Sequence, residues 1–93
     1  MTIGVVYCEL LIYDASSLKE KRSVMKSIQT RLKQRFNVAV AETNHQDVWQ
    51  RAELSIVTVA SDRQAAEREL QRALALIDGS TESERTVTQF EWL

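Results

Sequence analysis

Proline is absent from the chain, and glycine, cysteine and histidine are almost absent: there are only Gly4, Gly79, Cys8 and His45. P-loops and dinucleotide-binding fingerprints need several glycines close together, so two isolated glycines exclude both kinds of phosphate site. One cysteine cannot form an internal disulfide, and no Cys/His cluster is present to hold structural zinc. We therefore expect a reducing, cytoplasmic setting, no metal and no cofactor, with Cys8 as a small buried apolar residue.

Long hydrophobic runs are missing too. The opening stretch MTIGVVYCELLIYDAS lacks the basic region of a signal peptide, and its apolar run is too short to span a bilayer. We expect neither export nor membrane insertion. Of the 93 residues, 44% are hydrophobic and 27% are charged, as in a folded protein. No linker or repeat divides the chain, so residues 1–93 are predicted to form a single domain.

Charge is distributed unevenly, although the formal net charge is only −1. Residues 17–36 contain seven lysines and arginines against Glu20 alone, a local net charge of +6, so the other residues together carry −7. A charged partner experiences the local face rather than the sum. The basic segment is therefore a candidate surface for an anionic partner.

Hydrophobic periodicity predicts four strands and two helices. Residues 3–13 are typical of a strand covered on both faces, and residues 37–43, 52–60 and 86–93 predict three more strands. Residues 17–36 have a helical period, and their apolar stripe is Leu18, Met25, Ile28, Leu32 and Phe36. The second helix begins at Ser61 or Asp62, and its buried side is Ala66, Leu70, Ala73, Leu74 and Ile77.

Both helices carry signals at their ends. Ser17 and Glu20 are spaced as a capping box, in which each side chain satisfies a backbone N–H of the other residue. Gly79 follows the second helix, where a left-handed C-terminal cap is expected.

The order of elements predicts an α+β fold, the ferredoxin-like βαββαβ sandwich. Its four-stranded, antiparallel-type sheet would have the strand order 4-1-3-2, with two helices on one face because crossovers are right-handed. We expect the first and third strands to lie parallel to each other in the middle of the sheet.

The other face of this sheet has no helix. Its residues from the first strand are either Ile3, Val5, Tyr7, Leu11 and Tyr13 with Glu9, or Gly4, Val6, Cys8, Leu10 and Ile12. Both sets are largely apolar, which favours self-association as a homodimer or other homo-oligomer through the open face. The alternative is that a small twisted sheet shows some apolar side chains to water.

The first helix offers a candidate binding surface. At 100° per residue, Lys19, Arg22, Lys26 and Lys33 fall within a narrow arc beside the apolar stripe, while Arg31 and Arg35 lie on the far side. A ridge of cations can follow a row of phosphates, and Arg51 is a further candidate contact. The alternative is an ordinary solvated face. The second helix resembles such a face more closely, because it interleaves acidic and basic residues.

The stretch NHQDVWQRAELS is expected to connect the second and third strands. His45, Asp47 and Trp49 form a candidate partner-contact turn, in which Trp49 either closes the end of the core or anchors a contact. Arg51 and Glu53 lie on one face of a strand, where they can pair. His45 with Glu42 or Asp47 is a poor transition-metal site, because too few nitrogen or sulfur ligands are present. A hydrolase or metal-dependent enzyme using His45, Asp47 and Glu53 is a minor alternative.

The segments SLKEKRSVMKSIQTRLKQRFNVAVAE and HQDVWQRAELSIVTVASD resemble the YlxP-like family of small bacterial domains of unknown function. The resemblance implies a ferredoxin-like fold over nearly the whole chain. Members of that family often carry a histidine before SLKEKR, where this chain has Ser16. Their genes often lie near those for translation initiation and ribosome maturation factors, which is the setting of a ribosome-associated protein.

These observations favour a non-enzymatic cytoplasmic accessory protein with no catalytic residues, which binds ribosomal RNA or a ribosomal particle through the basic helix. RNA-recognition domains of this fold stack bases on aromatic residues of the central strands, and the third strand here has none. Any contact with nucleic acid is therefore expected to use the helix or the loops. A protein-interaction module that self-associates through its open sheet face is the alternative.

Overall fold

Six elements follow one another in the computed structural model, which describes residues 1–93. They are β1 (Thr2–Leu11), α1 (Leu18–Arg35), β2 (Ala39–Asn44), β3 (Arg51–Ala60), α2 (Arg63–Asp78) and β4 (Glu84–Trp92). The strands form one sheet in the order β2-β3-β1-β4. This is the predicted α+β fold, with the predicted βαββαβ order and the predicted neighbours in the sheet.

Every pair of neighbouring strands runs antiparallel. The expected parallel arrangement of the first and third strands is therefore wrong. The reason lies in the connections, because the α1 crossover returns β2 in the direction of β1 and the short β2–β3 connection then reverses the chain. β3 consequently runs against β1, with Val6 opposite Ile56 and Cys8 opposite Leu54.

Alternation along β1 decides which side chains face the helices. Val6, Cys8, Leu10 and Ile12 are at most 2% exposed and belong to the core, together with apolar residues of both helices. The open face therefore receives the other set, which is Ile3, Val5, Tyr7, Glu9 and Leu11. Burial also confirms the prediction for Cys8 and raises the pKa of its thiol to about 11.

Residues before α1 hold its first turn. Ser17 Oγ accepts a hydrogen bond from the backbone N–H of Glu20 at 3.1 Å, as predicted for an N-cap. The Glu20 carboxylate, however, accepts from the backbone N–H and hydroxyl of Ser16 rather than from Ser17. The reciprocal half of the capping box is thus displaced by one residue, and the Ser16 backbone N–H holds the pKa of Glu20 below its usual value.

Of the two caps predicted for α2, only the N-terminal one is confirmed. Asp62 is the N-cap and its Oδ1 atom accepts from the N–H of Ala65 at 2.8 Å. Gly79 has φ −76 and ψ −10, so the expected left-handed cap is wrong. The helix instead closes in a right-handed turn, in which the N–H of Gly79 donates to the carbonyl oxygens of Ala75 and Leu76.

Neither helix is long and apolar enough to cross a membrane.

Candidate nucleic-acid interface

α1 carries six exposed cations without an acidic partner. They are Lys19, Arg22, Lys26, Arg31, Lys33 and Arg35. None of them lies within 4.0 Å of a carboxylate oxygen, since the ion pairs of the chain involve other basic residues. We call Lys19, Arg22, Lys26 and Lys33 the α1 ridge. An uncompensated row of cations is a poor arrangement for an isolated helix and a good one for binding an anion.

Three residues of the α1 ridge line one groove. Arg22, Lys26 and Lys33 border a space of about 350 Å³ between α1 and the edge strand β2. Gln29 and Thr30 add an amide and a hydroxyl to the same wall. Guanidinium, ammonium, amide and hydroxyl groups are the side-chain donors that proteins direct at phosphate oxygens. The groove therefore combines positive charge with neutral hydrogen-bond donors.

Lys21 differs from the other basic residues of α1, because its side chain is fully buried. Its Nζ atom lies 2.8 Å from Oε2 of Glu42 in an ion pair. That contact is not aligned as a hydrogen bond, and the ammonium donates its hydrogen bond to the carbonyl oxygen of His45. Lys21 thus connects α1 to β2 and to the turn that follows β2. It also neutralises Glu42, the one acidic residue of the groove.

The β2–β3 turn is held by polar contacts on both sides of the sheet. His45 has a φ of 62°, and its N–H donates to Oδ1 of Asn44 at 2.9 Å. Its Nε2 atom lies 3.0 Å from Oε1 of Glu9 and donates to that carboxylate. Arg51 donates to the same oxygen at 2.8 Å. The hydrogen bond from His45, and after it that from Arg51, hold the pKa of Glu9 below its usual value.

These contacts revise several predictions for the turn. Arg51 pairs with Glu9, not with Glu53, whose carboxylate accepts from the Thr43 hydroxyl. His45 faces Glu9 rather than Glu42 or Asp47. Arg51 therefore lies on the open face of the sheet, away from the α1 ridge.

The tip of the turn points into solvent. Asp47 is exposed, Val48 is 44% exposed and Trp49 is 51% exposed. Trp49 thus does not close the core, and of its two predicted roles only that of an anchor for a contact remains. The structure joins His45 to α1 through Lys21, whereas the Asp47 side chain has no hydrogen bond or ion pair within the chain and about half of the Trp49 side chain is exposed.

Comparison with known proteins places the chain in a family. The model of the family described as "Protein of unknown function (DUF503)" matches residues 3–90. The chain belongs to this family. It is 53% identical over 90 residues to "Uncharacterized protein YlxP" of Bacillus subtilis (strain 168), and the match covers 97% of this chain and 98% of that protein. The resemblance inferred from the two sequence segments is thereby confirmed.

The fold of this family member also resembles a solved structure. The de novo designed protein Foldit4 superposes with a TM-score of 0.55, covering 100% of this chain and 97% of the designed one. At 17% sequence identity the likeness concerns the fold alone.

Sequence reasoning missed two residues of this region. Lys21 was counted among the basic residues of the helix but lies in the core, and its spacing from Met25 and Ile28 on the buried stripe could have revealed it. Glu9 interrupts an apolar strand, and that interruption was its signal. Its binding of both His45 and Arg51 depends on the register between strands, which the sequence does not show.

Proposed function

We propose that the protein is a non-enzymatic accessory protein that binds RNA, in particular ribosomal RNA or a ribosomal particle, through the α1 ridge and its groove. The observation that carries this proposal is the groove between α1 and β2, where three cations have no acidic partner. Each phosphate that a lysine or arginine neutralises releases condensed counterions, so such a surface binds RNA without a sequence motif.

The neighbourhood of the groove supports a polyanionic ligand rather than a small one. Lys19 extends the ridge towards the start of α1, and Arg31 and Arg35 add exposed charge on the other side of the helix. The residues of α1 that line the groove extend from Arg22 to Lys33. A chain of phosphates can occupy successive positions along such a ridge, whereas a single small anion would use only one of them.

The β2–β3 turn has a supporting role in this proposal. Lys21 holds the carbonyl of His45, so the turn keeps a fixed position beside the start of α1. Trp49 and Asp47 at its tip would extend or orient the contact. Arg51 contributes little to RNA binding in this scheme, because Glu9 neutralises it on the other face.

Co-sedimentation with ribosomal subunits and with free ribosomal RNA across a salt series tests the proposal. We expect retention that weakens as salt rises, and loss of retention in the variant that carries Lys26→Glu and Lys33→Glu. The matched control is Arg68→Glu with Arg72→Glu, which makes the same change of charge on α2. It should retain binding apart from a small general effect of net charge.

Two results would contradict RNA binding by the α1 ridge. One is that the protein is not retained at low salt by ribosomal subunits or by free ribosomal RNA. The other is an equal loss of binding in the two double variants, which would show that overall charge rather than a defined surface is responsible. Circular dichroism of both variants should give the spectrum of the wild type, as the control that the fold is intact.

A second candidate function is self-association through the open sheet face. Val57, Val59 and Val87 are 36%, 49% and 56% exposed, and half-buried Ile3, Tyr7 and Leu11 are the β1 residues of the same face. A second copy would bring an identical apolar strip against this one. Sedimentation velocity over a range of concentrations tests this function, and a monomer at all concentrations would exclude it. Val59→Asp should prevent self-association, because it places a charge on the open face, but it should leave the α1 groove unchanged.

A further inference from the structure

Two aromatic side chains of β4 lie against each other at the sheet edge opposite β2. The ring centroids of Phe90 and Trp92 are 6.1 Å apart, and their planes differ by 8°. Trp92 packs on the core, over Gly4, where a Cβ atom would come within 2.7 Å of its ring. Phe90, by contrast, is 39% exposed. This edge therefore presents the ring of Phe90 to solvent, and beside it lies the partly buried ring of Trp92, which packs against the core.

Arg63 adds a positive charge to the aromatic pair. Its guanidinium carbon lies 4.6 Å from the centroid of the Trp92 ring. Arg63 is exposed, and no carboxylate oxygen lies within 4.0 Å of its guanidinium nitrogens. It is the first residue of α2, a place that the helix dipole disfavours for a cation. The neighbouring Asp62 uses its Oδ1 atom to cap the helix.

An exposed aromatic ring beside a cation without a carboxylate partner is a suitable binding site for a nucleotide. A base can stack on the exposed Phe90, and a phosphate of the same strand can neutralise Arg63. An apolar protein partner would cover Phe90 but would remove Arg63 from water without giving it a counter-charge, which is costly. Building on the RNA binding proposed above, we propose that Phe90, Trp92 and Arg63 form a stacking site for an unpaired nucleobase of single-stranded RNA.

The position of the stacking site allows it to act together with the α1 ridge. Phe90 is paired with Val6, whose side chain faces the helices, so the aromatic pair lies on the helix side of the sheet. The α1 ridge lies on the same side but at the other edge, beside β2. Strands are about 4.8 Å apart, so the two edges are separated by about 15 Å. Because α1 and α2 cover this face between the edges, a single strand that reaches both surfaces passes over the helices and needs more nucleotides than the distance across the sheet alone requires.

The site differs from that of RNA-recognition domains with this fold. Those domains stack bases on aromatics of the central strands, on the face without helices. Here the aromatics belong to an edge strand and point to the helix side. The sequence contained both rings, but only the structure shows that Arg63 lies over one of them and that the other is exposed.

Tryptophan fluorescence and a pair of matched oligonucleotides test the stacking site. All variants are made in a chain that carries Trp49→Phe, so that Trp92 is the only tryptophan. The probes are a ribouridine oligomer of about 12 nucleotides and an abasic sugar-phosphate oligomer of the same length. We expect the ribouridine oligomer to bind about 5- to 150-fold more tightly than the abasic one and to change the emission of Trp92.

Two substitutions of Phe90 separate stacking from bulk. Phe90→Leu keeps an apolar side chain but removes the aromatic face, and it should abolish the difference in affinity between the two oligomers. Phe90→Tyr, the matched control, should preserve that difference. Equal binding of the two oligomers by the parent chain would refute the site, and so would a difference that persists in folded Phe90→Leu.

The abasic oligomer keeps this test separate from that of the α1 ridge, because it reports phosphate contacts alone. One outcome is that the abasic oligomer binds, that the Lys26→Glu and Lys33→Glu variant loses this binding, and that the base has no effect on affinity. This outcome would support RNA binding by the α1 ridge and refute the stacking site. The opposite outcome is that the abasic oligomer does not bind, while the ribouridine oligomer binds in a way that depends on Phe90. It would refute RNA binding by the α1 ridge and support the stacking site.

Discussion

The two edges of the sheet carry different kinds of surface. At the β2 edge, α1 places Arg22, Lys26 and Lys33 around a polar groove without acidic partners. At the β4 edge Arg85 binds Asp78 at 2.8 Å, Arg63 lies over the Trp92 ring, and the ring of Phe90 is exposed. A chain with a net charge of −1 thus has one strongly basic edge. Its net charge is a poor guide to its partners because the charges are segregated in space.

The two helices also meet the core differently. The buried side of α2 consists of alanine, leucine and isoleucine only, whereas α1 buries Lys21 beside Met25, Ile28 and Leu32. α2 therefore adheres through apolar packing. α1 adds a buried ion pair that fixes β2 and the adjoining turn, and this is the part of the molecule that borders the proposed RNA groove.

The largest effect on stability is expected at Lys21. Lys21→Ala leaves the Glu42 carboxylate and the His45 carbonyl without their buried partner, and it should lower the free energy of unfolding by about 3–5 kcal/mol. The neighbouring exposed residue provides the control, since Arg22→Ala should change stability by no more than about 0.5 kcal/mol. Urea denaturation measures both. A similar small loss of stability in the two variants would mean that the buried ion pair of Lys21 does not stabilise the fold and that α1, like α2, is held by apolar packing.

A smaller effect is expected at the other edge. In Gly4→Ala the new methyl group would lie 2.7 Å from the Trp92 ring and 3.1 Å from Cδ1 of Leu70. The ring must move, so we expect a loss of about 1–3 kcal/mol and a change in Trp92 emission. Gly79→Ala is the control, because the nearest atom there is 3.4 Å away and its φ is negative. Unchanged Trp92 emission in Gly4→Ala would show that the ring is not held as described.

Acid should weaken two polar contacts in a predictable direction, one at the β4 edge and one on the open face of the sheet. Hydrogen bonds from Arg85 lower the pKa of Asp78, and those from His45 and Arg51 lower the pKa of Glu9. A lowered pKa in the folded state stabilises the protein above the ordinary value of about 4, and this stabilisation is lost as the pH falls through the lowered pKa.

Arg85→Leu removes the main cause of the shift at Asp78. The variant should be less stable than the wild type at pH 7, and it should lose less stability on acidification to pH 3. Urea midpoints at the two pH values give the comparison. Equal acid sensitivity of the two proteins would show that the Arg85 contact does not stabilise the fold.

The smallest effect concerns the α1 ridge itself. Arg22 and Lys26 are four residues apart on one helix, a spacing at which like charges destabilise by about 0.2–0.5 kcal/mol. Lys26→Glu should therefore raise stability by about 0.5 kcal/mol while it weakens RNA binding. Opposite signs in unfolding and binding experiments would indicate that the ridge is kept for binding. A loss of stability would instead indicate that Lys26 has a structural partner.

A charge reversal on α2, Glu69→Lys, should lower stability, as most substitutions do. Glu69 accepts a hydrogen bond from the N–H of Asn37 at 2.8 Å and lies 4.0 Å from Arg72. Glu69→Lys removes both contacts and should destabilise the protein. It provides the comparison for Lys26→Glu, because each variant reverses one charge on an exposed helix.

Much of the fold could be predicted because the elements are defined by local patterns. The change from a strand to a helical period at Ser17, and the N-caps at Ser17 and Asp62, are properties of neighbouring residues. Gly79 shows the limit of such rules, because a glycine after a helix permits a left-handed cap but does not require one. The direction of β3 was inferred wrongly because it depends on the β2–β3 connection rather than on any residue within the strand.

The amino-acid sequence by itself determined the order of elements, the apolar stripes of the helices and the basic character of α1, because these follow from periodicity and composition over short distances. Only the tertiary structure decided that Lys21 is buried, that Glu9 binds both His45 and Arg51, and that Phe90 and Trp92 lie beside Arg63. Each of these contacts joins residues that are far apart in the chain. Such pairs depend on strand register and on how the helices sit on the sheet, and no local pattern specifies those.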